Sequence, residues 1–379
     1  MGHDHTDYRT PGQLILALLE SRGWTQRTLA AALNVSDQTM HRIVNDKQGV
    51  DAELALALEE IFSEPAERFL ALQQSFDLAQ ARIVATPDPE RAARAILYGS
   101  LPLTEMIKRG WIGAKDIRDS KIELELRRFF KVDRLDRIDA LSHAAKKSNI
   151  GEPITPAQLA WLYRVHQIAS EMIVPRFNRE RLGHAIAAFS ALRDNPDAVR
   201  SVPRLLSDAG VRFVVVESLP SAKIDGVCFW FDENSPVIGM SFRFDRIDNF
   251  WFVLRHECAH VLHGHGKAGA IFDVEMEREH ASEDEEEQIA DRDAATFCVP
   301  ADKMESFYQR KHPFFAEIEV LAFAKRMKVH PGLVVGQLQR RTGRYDLLRK
   351  HLVGVRNSLA AAMMMDGWGD SVPTEDGGN

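Results

Sequence analysis

Hydrophobic residues recur every three or four positions through the first eighty residues, which is the period of helices with one buried face. The first such stretch begins at Thr10 and Pro11, a pair typical of a helix start, and ends at Gly23. Two further stretches follow closely, with Asn34 at the tight turn between them and Ser36 as the cap of the second. This order predicts a helix-turn-helix followed by more helices.

The helical period continues to about residue 205 and then gives way to three short runs rich in β-branched and aromatic residues, at 211–216, 227–231 and 237–242. These runs predict a small sheet. A strongly apolar helix then starts near Asn249, and helical segments continue to about residue 352. The whole pattern predicts an α+β fold that is mostly α.

Composition limits the classes of function. The 379 residues carry a formal net charge of -7, with 45% hydrophobic and 27% charged residues, values typical of a globular protein rather than a disordered or fibrous one. The acidic balance excludes DNA binding through overall positive charge, so any contact with DNA must be local. Three dispersed cysteines, no long apolar run and no signal segment lead us to expect a cytoplasmic protein with no membrane partner.

The most specific motif is His256-Glu257-Cys258-Ala259-His260, an HExxH pattern within an apolar helical run. Imidazoles four residues apart lie one turn from each other on the same helical face, so both can reach a single zinc ion. Glu257 lies beside them, in the place of a general base that takes a proton from water. The alternative is a helix whose histidines and glutamate are only solvated or packed in a core.

A catalytic zinc also needs a third protein ligand. The metzincin extension is absent, because His263 and Gly266 stand where it requires glycine and histidine. Glu287 and Asp291, one turn apart on a predicted helix, offer a ligating carboxylate and a second carboxylate that accepts an N–H from a ligating histidine. On the residue pattern alone His263 stays open as a ligand or as a group that stabilises an oxyanion, although we favour a position at the rim of the site. Glu287 is only narrowly preferred to Glu286. A solvated acidic face is the interpretation for four neighbours: Glu283, Asp284, Glu285 and Glu286.

The run at 237–242 closely precedes the helix that carries the motif. A sheet edge beside the zinc would let an extended polypeptide pair its backbone with the protein. This expectation favours an endopeptidase over a hydrolase of small molecules.

The helix-turn-helix predicts contacts with operator DNA. Gln26 and Arg27, at the start of the second predicted helix, would hold backbone phosphates. The third helix would enter the major groove. Residues 1–80 hold six basic and twelve acidic residues, which favours the alternative of a plain helical bundle, whereas the stretch from Arg22 to Lys47 holds four basic and two acidic residues. Neither count decides between DNA binding and a plain helical bundle. The residues of the third helix and its cap that are expected to meet bases or phosphates are Ser36, Gln38, Thr39, His41 and Arg42, with Lys47 nearby.

Two resemblances add to these interpretations. Residues 11–80 resemble the Cro/CI (XRE) helix-turn-helix of HigA-type antitoxins, with Asn34 where that family usually has glycine. The segments RFDRIDNFWFVLRHECAHVLHGHG, EQIADRDAATFCVP and IEVLAFAKRMKVHPGLVVGQLQRRTG look like the ImmA/IrrE metallopeptidase domain over about 206–345. The Glu-x-x-Ala-Asn/Asp pattern of that family falls on Glu287, Ala290 and Asp291, so the resemblance implies Glu287 as the ligand. Asp293 stands where the family usually has phenylalanine, and Cys298-Val299-Pro300 replaces its usual Leu-Met-Pro.

The resemblance implies a zinc-dependent endopeptidase that cleaves repressor proteins, joined to a domain that dimerises, represses its own promoter and binds a toxin. We therefore expect a homodimeric DNA-binding transcriptional regulator whose zinc endopeptidase domain cleaves a protein partner, such as a repressor or toxin, or the chain itself. One alternative is a HigA-type antitoxin or repressor whose peptidase-like domain senses metal or ligand without proteolysis. Another is a peptidase whose helix-turn-helix serves only dimerisation or substrate docking.

The proline-rich and acidic segment TPDPE at 86–90 is typical of a domain boundary. We expect a helix-turn-helix domain at 8–85, a helical linker domain at 86–205 and a zincin-like metallopeptidase domain at 206–352 that holds the small sheet. Residues 353–379 lack apolar periodicity, and we expect them to form a flexible tail.

Overall fold

The structure is a computed structural model that describes residues 8–88, 91–138, 154–267, 269–274 and 285–374. It divides into two compact units, Met1–Pro89 and Glu90–Asn379. The described residues are mostly helical and hold one small sheet, which confirms the expected α+β, mostly α class. Within these ranges, no helix combines the length and the apolar character that crossing a lipid bilayer would demand.

The first unit holds the predicted helix-turn-helix, which is confirmed. Its described helices are α1 (Pro11–Arg22), α2 (Gln26–Ala32), α3 (Asp37–Val44), α4 (Ala52–Phe62) and α5 (Ala66–Val84). Asn34 has a φ of 54°, so the turn between α2 and α3 uses the left-handed conformation that asparagine tolerates well. Each of the first four helices starts at a polar side chain that accepts a hydrogen bond from a backbone N–H of the first turn. These caps are Thr10, Thr25, Ser36 and Asp51.

The second unit begins with helices and then forms the sheet. The helices before the sheet are α6 (Arg91–Ser100), α7 (Leu103–Lys108), α8 (Ile122–Phe130), α9 (Pro156–Glu171), α10 (Arg179–Phe189) and α11 (Val202–Asp208). The strands are β1 (Arg212–Val215), β2 (Ile224–Trp230), β3 (Pro236–Met240) and β4 (Ile271–Val274). The remaining helices are α12 (Ile247–His263), α13 (Glu285–Cys298), α14 (Ala301–Lys311), α15 (Glu317–Met327), α16 (Pro331–Thr342) and α17 (Arg356–Ala360).

The strand order of the sheet is β1-β3-β2-β4. Strand β3 runs parallel to β1 and antiparallel to β2, and β2 runs antiparallel to β4. The expectation of a sheet edge at 237–242 was therefore wrong, because β3 has a neighbour on both sides and no backbone groups left for another strand. Among the described residues the edges are β1 and β4, and β4 is a four-residue strand that the sequence pattern did not predict.

Both faces of the sheet are buried, because alternate strand residues enter different cores. Val214 and Val227 pack with helices α8 and α9 on one face. Val215 and Ile238 pack with α12 and the later helices on the other. The helical region predicted as a separate linker domain thus shares a core with the sheet, and the structure has no boundary at residues 205 and 206. The two units divide at residues 89 and 90 of the TPDPE segment, which lie outside the described residues.

The segment predicted to be a flexible tail is packed over its described part. Asp366 is fully buried, and its carboxylate accepts hydrogen bonds from the Arg164 guanidinium at 2.6 and 3.0 Å and from Trp111 Nε1 at 2.6 Å. Its backbone forms a parallel bridge with Val216, just after β1. The segment is held by a buried ion pair and not by a repeated pattern of apolar residues, and such a contact is not visible in the sequence. The prediction of a flexible tail was therefore wrong. Residues 375–379 of that predicted tail lie outside the described residues.

Candidate metal centre

Helix α12, called the motif helix below, positions the HExxH residues against the sheet. Its apolar face, including Phe250, Val253 and Leu254, is buried in the core. The helix ends at Gly264, whose φ of 78° gives the left-handed turn that commonly closes a helix. The motif histidines and Glu257 therefore lie in the last two turns of a firmly packed helix.

Three side chains converge at the centre of the site. His256 Nε2 and His260 Nε2 are 2.9 Å apart. The Glu287 carboxylate, which α13 brings against the motif helix, lies 3.4 Å from each of these nitrogens. All three residues are buried, with 1%, 0% and 3% of their surfaces exposed respectively.

The residues fit a zinc ion. With zinc to nitrogen and oxygen distances near 2.1 Å, two ligand atoms of a tetrahedral site stand about 3.4 Å apart. The two ring nitrogens lie 2.9 Å apart, and each lies 3.4 Å from one oxygen of the Glu287 carboxylate, Oε2 for His256 and Oε1 for His260. Two imidazoles and one carboxylate also form a donor set that catalytic zinc uses, with the fourth position left for water. In the described part of the chain, this trio forms a group that could hold a metal ion.

Asp291 lies beside the outer nitrogen of His256. One turn after Glu287 on α13, its Oδ1 is 3.0 Å from His256 Nδ1. A carboxylate in this place keeps the proton on Nδ1 and leaves Nε2 free to bind a metal. The next acid on the helix, Asp293, pairs instead with Arg255 of the motif helix at 2.8 Å. Asp293, which stands where the ImmA/IrrE family usually has phenylalanine, thus joins α13 to the motif helix by an ion pair.

Glu257 is fully buried between the motif helix and strand β2. Strand β2 carries Gly226 at the point of contact, and a Cβ at that position would overlap the Glu257 carboxylate. Sequence reasoning missed Gly226. Gly226 lies one residue before the predicted run at 227–231, whereas the observed strand begins at Ile224, so the prediction did not place this glycine inside a strand, where it would have marked the close approach of another group.

The two later histidines have different surroundings. His263 is exposed and lies outside the group of three candidate ligands. His265 is mostly buried, and its Nδ1 is 3.0 Å from His260 Nδ1. Sequence reasoning gave His265 no role, because the spacing of a turn does not show which way a side chain points. Of the residues interpreted as a solvated acidic face, Glu285 and Glu286 are exposed, and Glu283 and Asp284 lie outside the described residues.

The cysteines near the site are core residues. Cys258 and Cys298 are both buried, and burial raises the pKa of each thiol to about 12. A neutral thiol is neither a metal ligand nor a nucleophile. This agrees with the interpretation of Cys258 as a packing residue within the motif.

The first unit presents a polar face on α3. Two of the expected contact residues, Gln26 and Thr39, are partly buried. The Ser36 hydroxyl accepts a hydrogen bond from the Thr39 backbone N–H at 3.0 Å, so it is engaged in capping the helix. The other expected contact residues are exposed: Arg27, Ser36, Gln38, His41, Arg42 and Lys47.

Two family models match separate parts of the chain. Residues 208–336 match the IrrE N-terminal-like domain of peptidase family M78, and residues 15–69 match a helix-turn-helix domain. Virulence-associated protein I of Dichelobacter nodosus is 33% identical over 72 residues, which are 19% of this chain and 67% of the relative. Virulence-associated protein A' of the same organism is 37% identical over 71 residues, 18% of this chain and 62% of the relative. The chain thus spans about two thirds of the length of these relatives.

Proposed function

This chain belongs to the proteins that join a helix-turn-helix domain to an IrrE N-terminal-like domain of peptidase family M78, and we propose that it is a transcriptional regulator with a zinc-dependent endopeptidase domain. The observation that carries the proposal is the convergence of His256, His260 and Glu287 within 4.8 Å of one another. These three residues would hold the zinc. The arrangement suits a hydrolytic metal site, because Glu257 directly follows His256 and lies about one helical turn before His260 in the motif.

When bound, zinc would lower the pKa of a coordinated water far below its bulk value, to about 7. Glu257 takes the proton from the attacking water and returns it to the amine that leaves the cleaved peptide. Such acid and base work contributes about 10²- to 10⁴-fold to a rate. Gly226 and the motif helix enclose the buried Glu257 side chain, so the carboxylate has little freedom to change its orientation.

The proposed substrate is a protein. Strand β4 is an edge of the sheet among the described residues and pairs directly with β2, the strand that carries Gly226. An extended polypeptide can add to such an edge through its backbone. A repressor, a toxin or a segment of this chain would each supply an extended polypeptide.

The test of proteolysis uses Glu257→Gln, which keeps the size of the side chain and removes the base. We expect zinc to stay stoichiometric in metal analysis while cleavage of a protein encoded beside this gene is lost in mass spectrometry. His263→Gln changes an exposed histidine nearby and is the matched control, with both zinc and cleavage unchanged. Continued cleavage by the Glu257 variant would overturn the proposal.

The proposed partner of the first unit is operator DNA, bound by a homodimer with one α3 helix in each of two successive major grooves. Arg42 on the exposed face of α3 is the strongest candidate for base or phosphate contact. Arg42→Ala should abolish a low-salt mobility shift of DNA upstream of the gene, and Gln74→Ala on the exposed face of α5 should leave it unchanged. A shift that is absent even for the wild type would leave the first unit with a role in dimerisation or substrate docking.

One observation favours a second function, that of a HigA-type antitoxin or repressor that senses a metal without proteolysis. The candidate ligands and Glu257 are all buried, so a polypeptide reaches them only after neighbouring residues move aside. A metal sensor needs no such access. Stoichiometric zinc without cleavage of any neighbouring protein would support this second function.

A further inference from the structure

The turn after the motif helix brings a third histidine to the metal centre from behind one of the candidate ligands. His260 directs Nε2 toward His256 and Glu287, and its other ring nitrogen, Nδ1, lies 3.0 Å from Nδ1 of His265. The His265 side chain is only 12% exposed. It therefore contacts the far side of a candidate ligand and not the centre itself.

The protonation states follow from this geometry. A histidine that binds a metal through Nε2 carries its proton on Nδ1. In His260 that proton points at His265, so His265 Nδ1 must accept it and must carry its own proton on Nε2. The His265 Nε2 lies 3.7 Å from Glu286 Oε1, on the side where a carboxylate favours an N–H. The separation from Glu286 is longer than a hydrogen bond, so His265 is joined by hydrogen-bond distance to His260 and only by electrostatic attraction to Glu286.

The backbone of the turn is held independently of the His265 ring. The His265 backbone N–H donates to the His260 carbonyl at 2.9 Å, and Trp230 Nε1 donates to the His265 carbonyl at 2.7 Å. Gly266 has a φ of 79°, and a Cβ there would stand 2.8 Å from the Cys228 carbonyl oxygen. Because these contacts hold the main chain of the turn and do not involve the His265 ring, a change of the His265 side chain should leave the course of the chain intact.

We propose that His265 is a positioning residue, which fixes the tautomer and ring orientation of His260 for zinc binding. This inference rests on the zinc site of the proposed function. His256 has its own partner in Asp291, at 3.0 Å from Nδ1, so the two proposed histidine ligands are oriented by different chemistry. One faces a carboxylate directly, and the other faces a neutral imidazole.

The test measures the zinc dissociation constant of the full chain by competition with a chromogenic chelator. His265→Ala removes the acceptor and should weaken zinc binding about 10- to 100-fold, the range found when partners of metal-binding histidines are lost. His265→Asn places an amide oxygen where Nδ1 was and should recover most of the affinity. His263→Ala is the matched control on the same turn, and its affinity should equal that of the wild type.

Two results would overturn the inference alone: zinc affinity in His265→Ala equal to that of the His263 control, or no recovery in His265→Asn. His265→Phe keeps a ring of similar size without an acceptor, so it replaces the alanine variant if that variant does not fold. Equal thermal unfolding of the metal-free variants separates positioning from a general loss of structure. A wild-type chain that binds no zinc would overturn the proposed function and, with it, this inference.

Discussion

Gly226 of strand β2 lies against Glu257 of the motif helix so closely that a methyl group at residue 226 would overlap the Glu257 carboxylate. The same methyl group would stand 3.0 Å from Val253 Cγ1. Glu257 is fully buried, so its side chain has no solvent-filled space into which it could turn. The missing side chain at residue 226 therefore determines where the proposed base sits.

Gly226→Ala is expected to displace Glu257 and to lower the rate of substrate cleavage by about 10²-fold or more, since general base catalysis contributes that much. Zinc content should stay at the wild-type value, because residue 226 is outside the group of candidate ligands. Rate and zinc content are measured on the same preparations. Gly183→Ala is the control, because a Cβ at Gly183 in helix α10 would meet no atom within 4 Å. An unchanged cleavage rate in the Gly226 variant would contradict this account.

The sequence could predict the part of the site that depends on helical period. His256 and His260 lie on one face because they are four residues apart, and the same rule relates Glu287 to Asp291 on α13. The residue pattern preferred Glu287 only narrowly to Glu286, and the resemblance selected Glu287 independently.

The rest depends on contacts between distant parts of the chain. Nothing in the pattern of β2 shows that its glycine meets Glu257, and nothing in the turn after the motif helix shows that His265 points back at His260. The packing of Asp366 depends on one buried carboxylate rather than on a repeated apolar face. Periodicity describes how an element buries a surface, and it contains no information about single polar contacts between elements.

Asp291→Asn is expected to weaken zinc binding about tenfold, because the amide no longer supplies a negative charge beside His256 Nδ1. The dissociation constant is measured by chelator competition. Asp293→Asn on the same helix is the control, since Asp293 pairs with Arg255 and not with a proposed ligand. Equal zinc affinities for the two variants would show that Asp291 has no part in orienting His256.

Asp366→Ala should lower the free energy of unfolding by about 3 to 5 kcal/mol, because it leaves the buried Arg164 guanidinium without its counter-charge. The side chains of Arg164 and Asp366 are only 2% and 0% exposed. The urea midpoint of unfolding measures this loss. Asp208→Ala breaks the exposed pair with Arg204 and should cost less than about 1 kcal/mol. Similar midpoints for the two variants would mean that the described C-terminal segment contributes little to the fold.

His330 links stability to pH, because its ring caps helix α16. The Nδ1 of His330 accepts a hydrogen bond from the Gly332 backbone N–H at 3.1 Å, which requires the neutral ring. Burial lowers the pKa of His330 below its ordinary value of 6.5, and nearby His351 acts in the same direction. The folded protein then binds this proton less readily than the unfolded chain. The free energy of unfolding should therefore fall as the pH drops through about 6.5, and the fall should end below the folded pKa.

His330→Asn keeps a good helix cap that does not titrate in this range. We expect the urea midpoint of this variant to decline less than that of the wild type between about pH 7.5 and pH 5.5, the range in which histidines titrate. Circular dichroism at several pH values measures the midpoints. His184→Asn, at an exposed position on α10, should keep the wild-type decline. If the His330 variant loses stability as steeply as the wild type, another group causes the acid sensitivity.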